Sequence, residues 1–594
     1  MTKDSPIDWT DDGQPRSRRF GDVYFSTEDG LAESRAVFLQ GCDLPRAWAG
    51  RQRFVVGELG FGTGLNILAL LDLWRRARPP EARLHVFSVE AWPLSAAEAA
   101  RALQPWPELA DLSRMLLDRW PGQARGLHRV EAPELGVLID LAVMEARDAL
   151  ADWRGRADAW FLDGFSPALN PDMWSDEVLG LVGARSAPGA RVATFTVAGQ
   201  VRRGLAAAGF EVAKRPGHGR KRERLEAWLP GDAAADPGPP RVAVVGAGIA
   251  GASAARALTA LGASPVVFDQ ADPGAGGSGN PVALVTPRLD AGLGPPARLF
   301  AQAFARAIQV CVEVPDAVVA RGVLQLRSGE RDADRFARIA ASDLFEPGVL
   351  VPLDAAETER RLGEAAPGGL EMAQALVVAP HVLLSRWAPA VRRARVAALR
   401  REGRDWLLLD AAGVVLDRVD AVVLAAGMGV ADLIAEVPLR PVRGQASWVE
   451  LEEPPPAAAW GGYAVPTPHG ILFGATHDRD DTDVDVREAD HLRNLATLAG
   501  RLPGLAERLA GRRLHGRASL RATTPDRLPL AGLAEGVLLL TGFGSRGFSL
   551  APLLAEHVAA LAVGAPSPLP ATLAALVDPG RFAARRARFE APRP

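Results

Sequence analysis

The sequence predicts an α/β protein with two separate, mainly parallel sheets in one chain. Each sheet is indicated by an apolar run, a glycine-rich turn and a helical pattern, first at residues 54–76 and again at residues 241–261. A stretch without core-forming periodicity, PGDAAADPGPP at 230–240, separates the two. We therefore predict four segments, which are an N-terminal domain (1–229), a linker (230–240), a C-terminal domain (241–580) and a basic tail (581–594).

The bulk composition is that of a globular protein. Of 594 residues, 48% are hydrophobic and 23% are charged, and the formal net charge is −3, so contact with nucleic acid would need a local basic patch. The chain contains no uninterrupted apolar run of about 18 residues, and its polar N-terminus lacks a signal-peptide core. Cys42 and Cys311, the only cysteines, predict neither a disulfide framework nor a cysteine metal site. We expect a cytoplasmic protein without metal.

The second glycine-rich turn has the spacing of a dinucleotide-binding site. Residues 242–245 predict a buried strand, and Gly246, Gly248 and Gly251 follow as G-x-G-x-x-G before an alanine-rich helix. The first glycine allows the tight turn, the second lets backbone approach a pyrophosphate, and the third lets helix pack on strand. Asp269 ends the next predicted strand, where an acid can accept hydrogen bonds from a ribose. These features predict dinucleotide binding.

Three further segments indicate that the dinucleotide is FAD. PGAGGSGNP at 273–281 can run close to a flavin, a strand-like run ends in Ala-Ala-Gly at 425–427, and TGFGSRGF at 541–548 precedes an apolar helix. A turn at a helix N-terminus can stabilise the negative charge of a reduced flavin. Together these segments resemble the amino-acid-oxidase group, which includes glycine and sarcosine oxidases. The predicted FAD contacts outside the fingerprint are Ser278, Gly279, Asn280, Gly427, Gly544, Arg546 and Gly547.

The amino-acid-oxidase group needs a cation for the substrate carboxylate, and three arginines are candidates. Arg521, in LRATTPDRLP, resembles the arginine motif of the group and is our first choice, with Arg443 and Arg546 as alternatives. A guanidinium presents a planar fork that matches a carboxylate in two hydrogen bonds. Residues 297–345 are predicted to be helical, and short strands at 370–450 predict an inserted mixed or antiparallel substrate sheet.

The first glycine-rich turn has a different spacing, E-x-G-x-G-x-G. It resembles the first motif of class I methyltransferases, which have a Rossmann-like fold and pass this loop under the methionine part of S-adenosylmethionine. In such enzymes an acid at the end of the second strand holds the ribose hydroxyls, and a later acid can meet the adenine amino group. The predicted contacts to S-adenosylmethionine are Glu58, Gly60, Gly62, Gly64, Glu90 and Asp148.

The segment ADAWFLDGFSPALNPDMW, at 157–174, predicts the catalytic centre of the first domain. Asp163 follows an apolar strand, and ligands of open α/β sheets bind outside the carboxyl ends of the strands. The turn that follows can present Asp163 and Phe165 together. Such a pair suits an amine on a flat base, because the carboxylate can take the proton of the amine while the ring stacks on the base. For Phe165, simple core packing is the competing interpretation.

The segment KRPGHGRKRER, at 214–224, is the clearest candidate surface for a polyanion. Glycines between the bases indicate a loop shaped to approach a ligand, although such a run can also be a solvated face. For the basic run RFAARRAR at 581–588, contact with RNA and plain solvation both stay open. The predicted phosphate contacts are Lys214, Arg215, Arg220, Lys221, Arg222 and Arg224.

Taken together, the motifs resemble one family, the bifunctional tRNA 5-methylaminomethyl-2-thiouridine biosynthesis proteins (MnmC). The motifs that carry the resemblance over about residues 8–590 are DVYFS, GLAES, ELGFGTGLN, WFLDGFSPALNPDMW, ATFT, GRKRE, VGAGIAG, GGSGNP, PVRGQ, TTPDRLPLAG and GFGSRG. Two positions depart from the pattern. Cys42-Asp43 stands where an asparagine-containing turn is expected, and Arg147 stands where a glycine usually precedes the acid, which weakens the adenine role of Asp148.

The resemblance implies two reactions on the wobble uridine of tRNA. An FAD-dependent domain removes the carboxymethyl group of 5-carboxymethylaminomethyl-(2-thio)uridine, and a methyltransferase domain then methylates the 5-aminomethyl group with S-adenosylmethionine. It also implies that the basic cluster at 214–224 contacts tRNA. Because both sites lie in one chain, a monomer can perform both steps.

Two alternatives use the same motifs differently. A small-molecule oxidase of the glycine or sarcosine type, fused to an amine methyltransferase, would act without RNA and would not respond strongly to salt, whereas tRNA binding weakens with salt. A tRNA-binding scaffold with vestigial cofactor folds would be colourless.

Overall fold

The computed structural model describes residues 5–26, 28–219, 221–232 and 238–590, with backbone only for 586–590. The chain forms two compact units. Unit 1 comprises Met1–Gly238, Ala260–Gly262 and Ala565–Ala571, and unit 2 comprises Pro239–Thr259, Ala263–Gly564 and Thr572–Pro594. Within the described ranges, no helix has both the length and the apolar character needed to cross a membrane.

Unit 1 is built on an eight-stranded sheet that follows a small hairpin of β1 (Ile7–Trp9) and β2 (Pro15–Ser17). The sheet strands are β3 (Arg53–Leu59), β4 (Arg83–Val89), β5 (Gly126–Ala132), β6 (Val137–Val143), β7 (Ala157–Leu162), β8 (Ser186–Thr194), β9 (Glu211–Pro216) and β10 (Glu223–Trp228). Their order is β5-β6-β4-β3-β7-β8-β10-β9, and β6, β4, β3, β7 and β8 are parallel. The carboxyl ends of β3, β4 and β7 therefore meet at one edge, where ligands of such sheets bind.

Helices cover both faces of this sheet. They are α1 (Gly30–Ser34), which continues as a π-helical turn (Arg35–Leu39), α2 (Leu65–Ala77), α3 (Ala96–Leu103), α4 (Ala110–Leu117), α5 (Ala146–Asp152), α6 (Asp176–Ala184) and α7 (Gly199–Ala207). Phe54 and Val56 of β3 pack into one hydrophobic cluster and Val55 into another. Because side chains alternate along a strand, the two clusters lie on opposite faces.

The described residues of unit 2 form three sheets. Its strands are β11 (Val242–Val245), β12 (Pro265–Asp269), β13 (Ala283–Val285), β14 (Val318–Leu326), β15 (Leu350–Leu353), β16 (Gly369–Val378), β17 (Val391–Arg393), β18 (Ala398–Glu402), β19 (Asp405–Leu409), β20 (Val415–Val419), β21 (Ala421–Leu424), β22 (Arg440–Glu450), β23 (Ala458–Ala459), β24 (Tyr463–Thr467), β25 (Gly470–Gly474), β26 (Asp478–Arg479), β27 (His515–Thr523), β28 (Leu530–Ala534) and β29 (Val537–Thr541).

The nucleotide-binding sheet of unit 2 has the order β17-β12-β11-β21-β29-β28 and is parallel except for β28. A ten-stranded mixed sheet is inserted between its strands, with β22 paired to β25, β26 and β27. The third sheet is the antiparallel set β18-β19-β20. This architecture confirms the predicted α/β class with an inserted mixed sheet.

The helices of unit 2 are α8 (Ile249–Ala260), α9 (Pro295–Val312), α10 (Asp332–Ala340), α11 (Ala355–Leu362), α12 (Pro380–Trp387), α13 (Glu488–Ala499), α14 (Pro503–Leu509), α15 (Gly547–Val563), α16 (Ala571–Val577) and α17 (Arg581–Glu590). The prediction of continuous helix at 297–345 is wrong, because β14 interrupts it and pairs with β16. The predicted basic tail begins with a buried residue, Arg581, whose Nε lies 3.0 Å from Asp526 Oδ2. Arg581 therefore holds α17 against the body of unit 2.

Candidate active sites

The glycine loop of unit 1 joins β3 to α2 at the ligand-binding edge of the sheet. Gly60 has a φ of 95°, and a Cβ there would lie 2.2 Å from the carbonyl oxygen of Asp163, so only glycine fits. Gly62 donates its N–H to Glu90 Oε2 at 3.1 Å. Gly64, with a φ of 80°, is the N-cap of α2. The loop thus brings the predicted ribose-binding acid and the predicted catalytic acid to one place.

Glu58, which is buried, and Glu90, which is half-buried, lie on either side of this loop. Glu90 accepts backbone hydrogen bonds from Trp92 to Oε1 at 3.0 Å and from Gly62 to Oε2, yet burial raises its pKa. Burial raises the pKa of Glu58 to about 8, although the Ser88 hydroxyl donates to its Oε2. Glu58 is therefore mostly protonated at neutral pH and can act as a neutral hydrogen-bonding group.

Asp148 lies at the same edge of the sheet but is exposed and paired with an arginine. It follows β6 in the first turn of α5, with its side chain 49% exposed. Its Oδ1 lies 3.0 Å from Nη2 of Arg147, the residue that departs from the family pattern. The adenine contact of Asp148 stays a prediction, since it would have to form beside this ion pair.

The side chain of Asp163 is held by the amide of Asn66, a residue that the sequence alone does not connect with it. Asn66 Nδ2 donates to Asp163 Oδ2 at 2.6 Å, and the hydroxyl of Ser34 donates to Asn66 Oδ1. Burial raises the pKa of Asp163 to about 7, while the hydrogen bond from Asn66 opposes that rise. A carboxyl with such a pKa is partly ionised at neutral pH, as a proton acceptor working near pH 7 requires.

Phe165 stands two residues beyond Asp163 and is half-buried among aromatic rings. Its ring centroid is 5.0 Å from that of Phe20 and 5.1 Å from that of Tyr24. The indole N–H of Trp174 donates to the Phe165 carbonyl oxygen at 2.8 Å, which fixes the backbone of the turn. Phe165 is thus packed against other rings but half-buried, and stacking on a base stays a prediction.

The basic cluster of residues 214–224 lies on β9, β10 and the loop between them. Most of its described charges are paired with carboxylates. Arg222 is exposed and has no ion pair with any residue that the structure describes, while Arg220 lies outside the described residues. The pairs are Lys214 with Glu223 (2.8 Å), Arg215 with Glu226 (3.6 Å), Lys221 with Glu33 (2.7 Å) and Arg224 with Glu226 (2.6 Å).

Unit 2 contains a cavity of about 810 Å³ that collects the predicted FAD residues. Two of the predicted glycines, Gly251 and Gly279, do not line it but allow close backbone packing. A Cβ at Gly251 would lie 1.7 Å from Gly246 O, and one at Gly279 would lie 2.2 Å from Gly274 O. The predicted residues that line the cavity are Gly246, Gly248, Asp269, Ser278, Asn280, Gly427, Arg521, Gly544, Arg546 and Gly547.

The glycine turn after β11 is fixed by two of these side chains. Asp269 accepts the N–H of Ala247 at 2.7 Å on Oδ2 and that of Ala271 at 3.0 Å on Oδ1. Ser278 accepts the N–H of Ile249 at 3.0 Å, at the start of α8. The cavity size and the close-packed glycine turn fit a dinucleotide, with Asp269 retaining oxygen lone pairs for a ribose.

The three candidate arginines lie in different environments. Arg443 is fully buried and donates to Asp490 Oδ2 at 2.5 Å and to the carbonyl oxygen of Asp483 at 2.7 Å, and it does not line the cavity. Arg521 lies over Gly444, where a Cβ would be 2.2 Å from the guanidinium. Arg546, whose pKa is lowered by burial to about 10, also lines the cavity. Arg443 is thus engaged by protein groups, which leaves Arg521 and Arg546 for a carboxylate.

Arg521 has two polar neighbours in the cavity that sequence reasoning missed. Tyr463 and His477 both line the cavity, and Arg521 acts on the charge of each. Burial raises the pKa of Tyr463, and burial together with Arg521 lowers the pKa of His477. Arg521 itself donates to the carbonyl oxygen of Thr476 at 3.1 Å. Nothing in the local sequence marks these residues, because β24 with Tyr463, the loop with His477 and β27 with Arg521 meet only in the folded sheet.

Comparisons with known proteins identify both types of domain. A family model of FAD dependent oxidoreductases matches residues 241–561, and one of S-adenosyl-L-methionine-dependent methyltransferases matches residues 107–230. The chain is 62% identical over 582 residues to the tRNA 5-methylaminomethyl-2-thiouridine biosynthesis bifunctional protein MnmC of Caulobacter vibrioides, covering 98% of each chain. The chain belongs to the MnmC family. The MnmC protein of Caulobacter sp. strain K31 is 58% identical, with 98% of each chain covered.

Membership of the MnmC family makes this chain a bifunctional enzyme, with a methyltransferase and an FAD-dependent oxidoreductase activity. Its cofactors are S-adenosylmethionine and FAD. Among solved structures, glycine oxidase from Geobacillus kaustophilus is similar at 23% identity, with a TM-score of 0.48, covering 55% of this chain and 95% of that chain.

Substitution of Asn66 by alanine is expected to shift the pH dependence of methylation by this chain. The Asn66 amide stabilises the ionised form of Asp163, so its loss raises the pKa of Asp163 from about 7. Because the predicted role of Asp163 needs its carboxylate ionised, the pH at which methylation reaches half its maximum should move upward. The measurement is kcat/KM for methylation across neutral pH. Ser34→Ala keeps the Asn66 amide and should shift the pH profile less. An unchanged pH profile in Asn66→Ala would contradict the predicted effect of Asn66 on the pKa of Asp163.

Proposed function

We propose that this chain modifies the wobble uridine of tRNA in two successive steps. The first removes the carboxymethyl group of 5-carboxymethylaminomethyl-(2-thio)uridine, and the second methylates the resulting 5-aminomethyl group to 5-methylaminomethyl. Relatives that share nearly the whole chain are named as bifunctional proteins of tRNA 5-methylaminomethyl-2-thiouridine biosynthesis. One observation carries the proposal, which is that a single chain contains both sites. One is a cavity suited to FAD and lined by Arg521, and the other is Asp163, an acid with a pKa of about 7 beside a glycine loop.

In the oxidative step, Arg521 binds the carboxylate of the modified base. Arg521 is half-buried over Gly444 and desolvation lowers its pKa, so a two-pronged hydrogen bond there is partly shielded from water. FAD held in the cavity by the glycine turn after β11, Asp269 and Ser278 would supply the two-electron oxidation of the bond between the amine nitrogen and the carboxymethyl carbon. Water then adds to the imine, which releases glyoxylate and leaves 5-aminomethyl-uridine.

In the methylation step, Asp163 takes a proton from the substrate amine. An aliphatic amine is mostly protonated at pH 7 and has no lone pair in that form. With one oxygen held by Asn66, the carboxylate of Asp163 accepts the proton and leaves the nitrogen free to attack the methyl group. Phe165 stacks on the uracil ring and so places the amine against Asp163.

The tRNA is proposed to contact the hairpin of β9 and β10 through Lys214, Arg215, Arg220, Lys221, Arg222 and Arg224. Because Lys214, Arg215, Lys221 and Arg224 have glutamate partners, phosphates would have to replace those carboxylates, and Arg222 is the described member that needs no such exchange. A tRNA substrate places the proposed activity in the cytoplasm, and a monomer suffices for it.

The decisive experiment is nucleoside analysis of tRNA that carries 5-carboxymethylaminomethyl-uridine after incubation with the pure protein. Without S-adenosylmethionine we expect 5-aminomethyl-uridine, and with it 5-methylaminomethyl-uridine. Free glycine and sarcosine serve as competing substrates. A yellow, flavin-bearing protein that leaves the tRNA unchanged but oxidises sarcosine would support the small-molecule oxidase instead.

A further inference from the structure

Four aromatic side chains form a continuous row beside the methyl-transfer site of unit 1. Along this aromatic row, Trp92, Phe20, Phe165 and Tyr24 are separated by centroid distances of 5.6, 5.0 and 5.1 Å. All four rings are half-buried, so the row is anchored in the fold and still reaches the surface. Proposed base stacking at Phe165 uses one member of the row and leaves Phe20 and Trp92 without a role.

Arg19 adds a cation at the far end of the aromatic row. Its side chain is exposed, and its Cζ lies 4.2 Å from the ring centroid of Trp92 and 5.7 Å from that of Phe20. Neighbouring Arg18 is paired with Asp8 at 2.6 Å, whereas Arg19 has no ion pair with any described residue. Its guanidinium is thus positioned by the ring and remains free to bind an anion.

We propose that Arg19, Phe20 and Trp92 form a binding subsite for an unpaired nucleotide next to the wobble uridine. This inference rests on the proposed function and adds a second nucleotide to it. Single-stranded RNA loops are recognised by stacking of splayed bases on aromatic rings and guanidinium planes. An arginine fork also matches a phosphate in two hydrogen bonds. With the wobble base at Phe165, a flanking base reaches Phe20 and Arg19, and Arg19 binds its phosphate.

The charge of Arg19 favours RNA over the other ligand of this unit. Trp92 follows Glu90 by two residues, so the row also lies near the predicted ribose contact of S-adenosylmethionine. S-adenosylmethionine, with its sulfonium and ammonium groups and one carboxylate, has a net positive charge. An exposed cation beside it is unfavourable, whereas the same cation beside a phosphate is favourable.

The test compares Arg19→Ala with wild type in the full chain with FAD bound. The probe is an anticodon stem-loop RNA with 5-aminomethyl-uridine at the wobble position, and its Kd is measured at several salt concentrations. We expect roughly tenfold weaker binding and a salt slope smaller by about 0.7, as loss of one phosphate contact on a single strand predicts. The Kd of S-adenosylmethionine should not change.

Two further variants sharpen this comparison. Arg19→Lys keeps the charge without the planar fork and should recover the salt slope more than the affinity. The matched control is Arg101→Ala, because Arg101 also stacks on a tryptophan, with its Cζ 3.9 Å from the Trp9 ring, but lies outside the aromatic row. This control should bind RNA as wild type does.

Three results would overturn the subsite. Wild-type affinity and salt slope in Arg19→Ala would remove Arg19 from RNA binding. A weaker Kd for S-adenosylmethionine with RNA binding unchanged would assign the row to the methyl donor. An equal loss in Arg101→Ala would show an unspecific charge effect. Failure of the wild-type protein to bind the RNA would contradict the proposed function as well as the subsite. That result differs from the other three, which concern the variants and leave the proposed function intact.

Discussion

Replacement of Asp163 by asparagine is expected to lower the methylation rate by roughly 10²–10⁴-fold, the usual contribution of a positioned acid or base. The amide keeps the shape of the side chain but cannot take the proton of the substrate amine. S-adenosylmethionine should still bind, because the glycine loop and Glu90 are untouched, and oxidation in unit 2 should continue. The readouts are single-turnover methylation of 5-aminomethyl-uridine in tRNA and the Kd of the methyl donor.

The matched control for this variant is Asp172→Asn. Asp172 is exposed and lies nine positions further along the segment 157–174, so its substitution should leave methylation unchanged. If Asp163→Asn turned over at the wild-type rate, Asp163 would have no part in the chemistry. An Asp163→Asn rate that recovers at high pH would instead mean that solvent can take the proton.

Replacement of Arg521 by alanine is the variant with the largest expected effect on the oxidative step. Removing one partner of a buried, hydrogen-bonded charge pair costs about 2–5 kcal/mol, which corresponds to about 30- to 5,000-fold in kcat/KM. FAD content, measured from the flavin absorbance, should stay near wild type. Arg521→Lys keeps the charge and loses the planar fork, so its activity should lie between the two.

A substrate analogue without the carboxylate separates binding of that group from other roles of Arg521. Wild type should oxidise the analogue slowly, and Arg521→Ala should oxidise it no more slowly than wild type does. Arg546→Ala provides the comparison, since Arg546 lines the same cavity. If the carboxylate-dependent loss is larger in Arg546→Ala than in Arg521→Ala, Arg546 is the carboxylate-binding residue.

Local patterns in the sequence predicted the parts of the structure that local geometry determines. The strand, glycine turn and helix of each unit are formed by consecutive residues, and a Cβ at Gly60 or Gly251 would collide with nearby backbone. Such constraints can be read from spacing alone. Residues 297–345 were harder, because the strand β14 at 318–326 is stabilised by pairing with β16, which lies far along the chain.

Contacts between distant segments could not be predicted in the same way. Asn66 and Asp163 are 97 residues apart, and no spacing rule connects them. The basic cluster was predicted as a surface for a polyanion. The glutamates near it are visible in the sequence, but their pairing with the basic side chains depends on the fold. Antiparallel pairing of β9 with β10 places Ala213 opposite Glu226, and so brings the side chain of Glu226 within reach of Arg215.

The hydrogen bond from Ser34 to Asn66 has a consequence for where unit 1 can be cut. All eight strands of its sheet lie between residues 53 and 228, so a fragment that begins at β3 would retain the whole sheet. That fragment would nevertheless lack Ser34, Tyr24 and Phe20, which hold the amide and the aromatic ring on either side of the acid. The smallest fragment with a complete sheet is therefore shorter than the smallest fragment with a complete candidate site. The candidate site needs about thirty further residues ahead of the sheet.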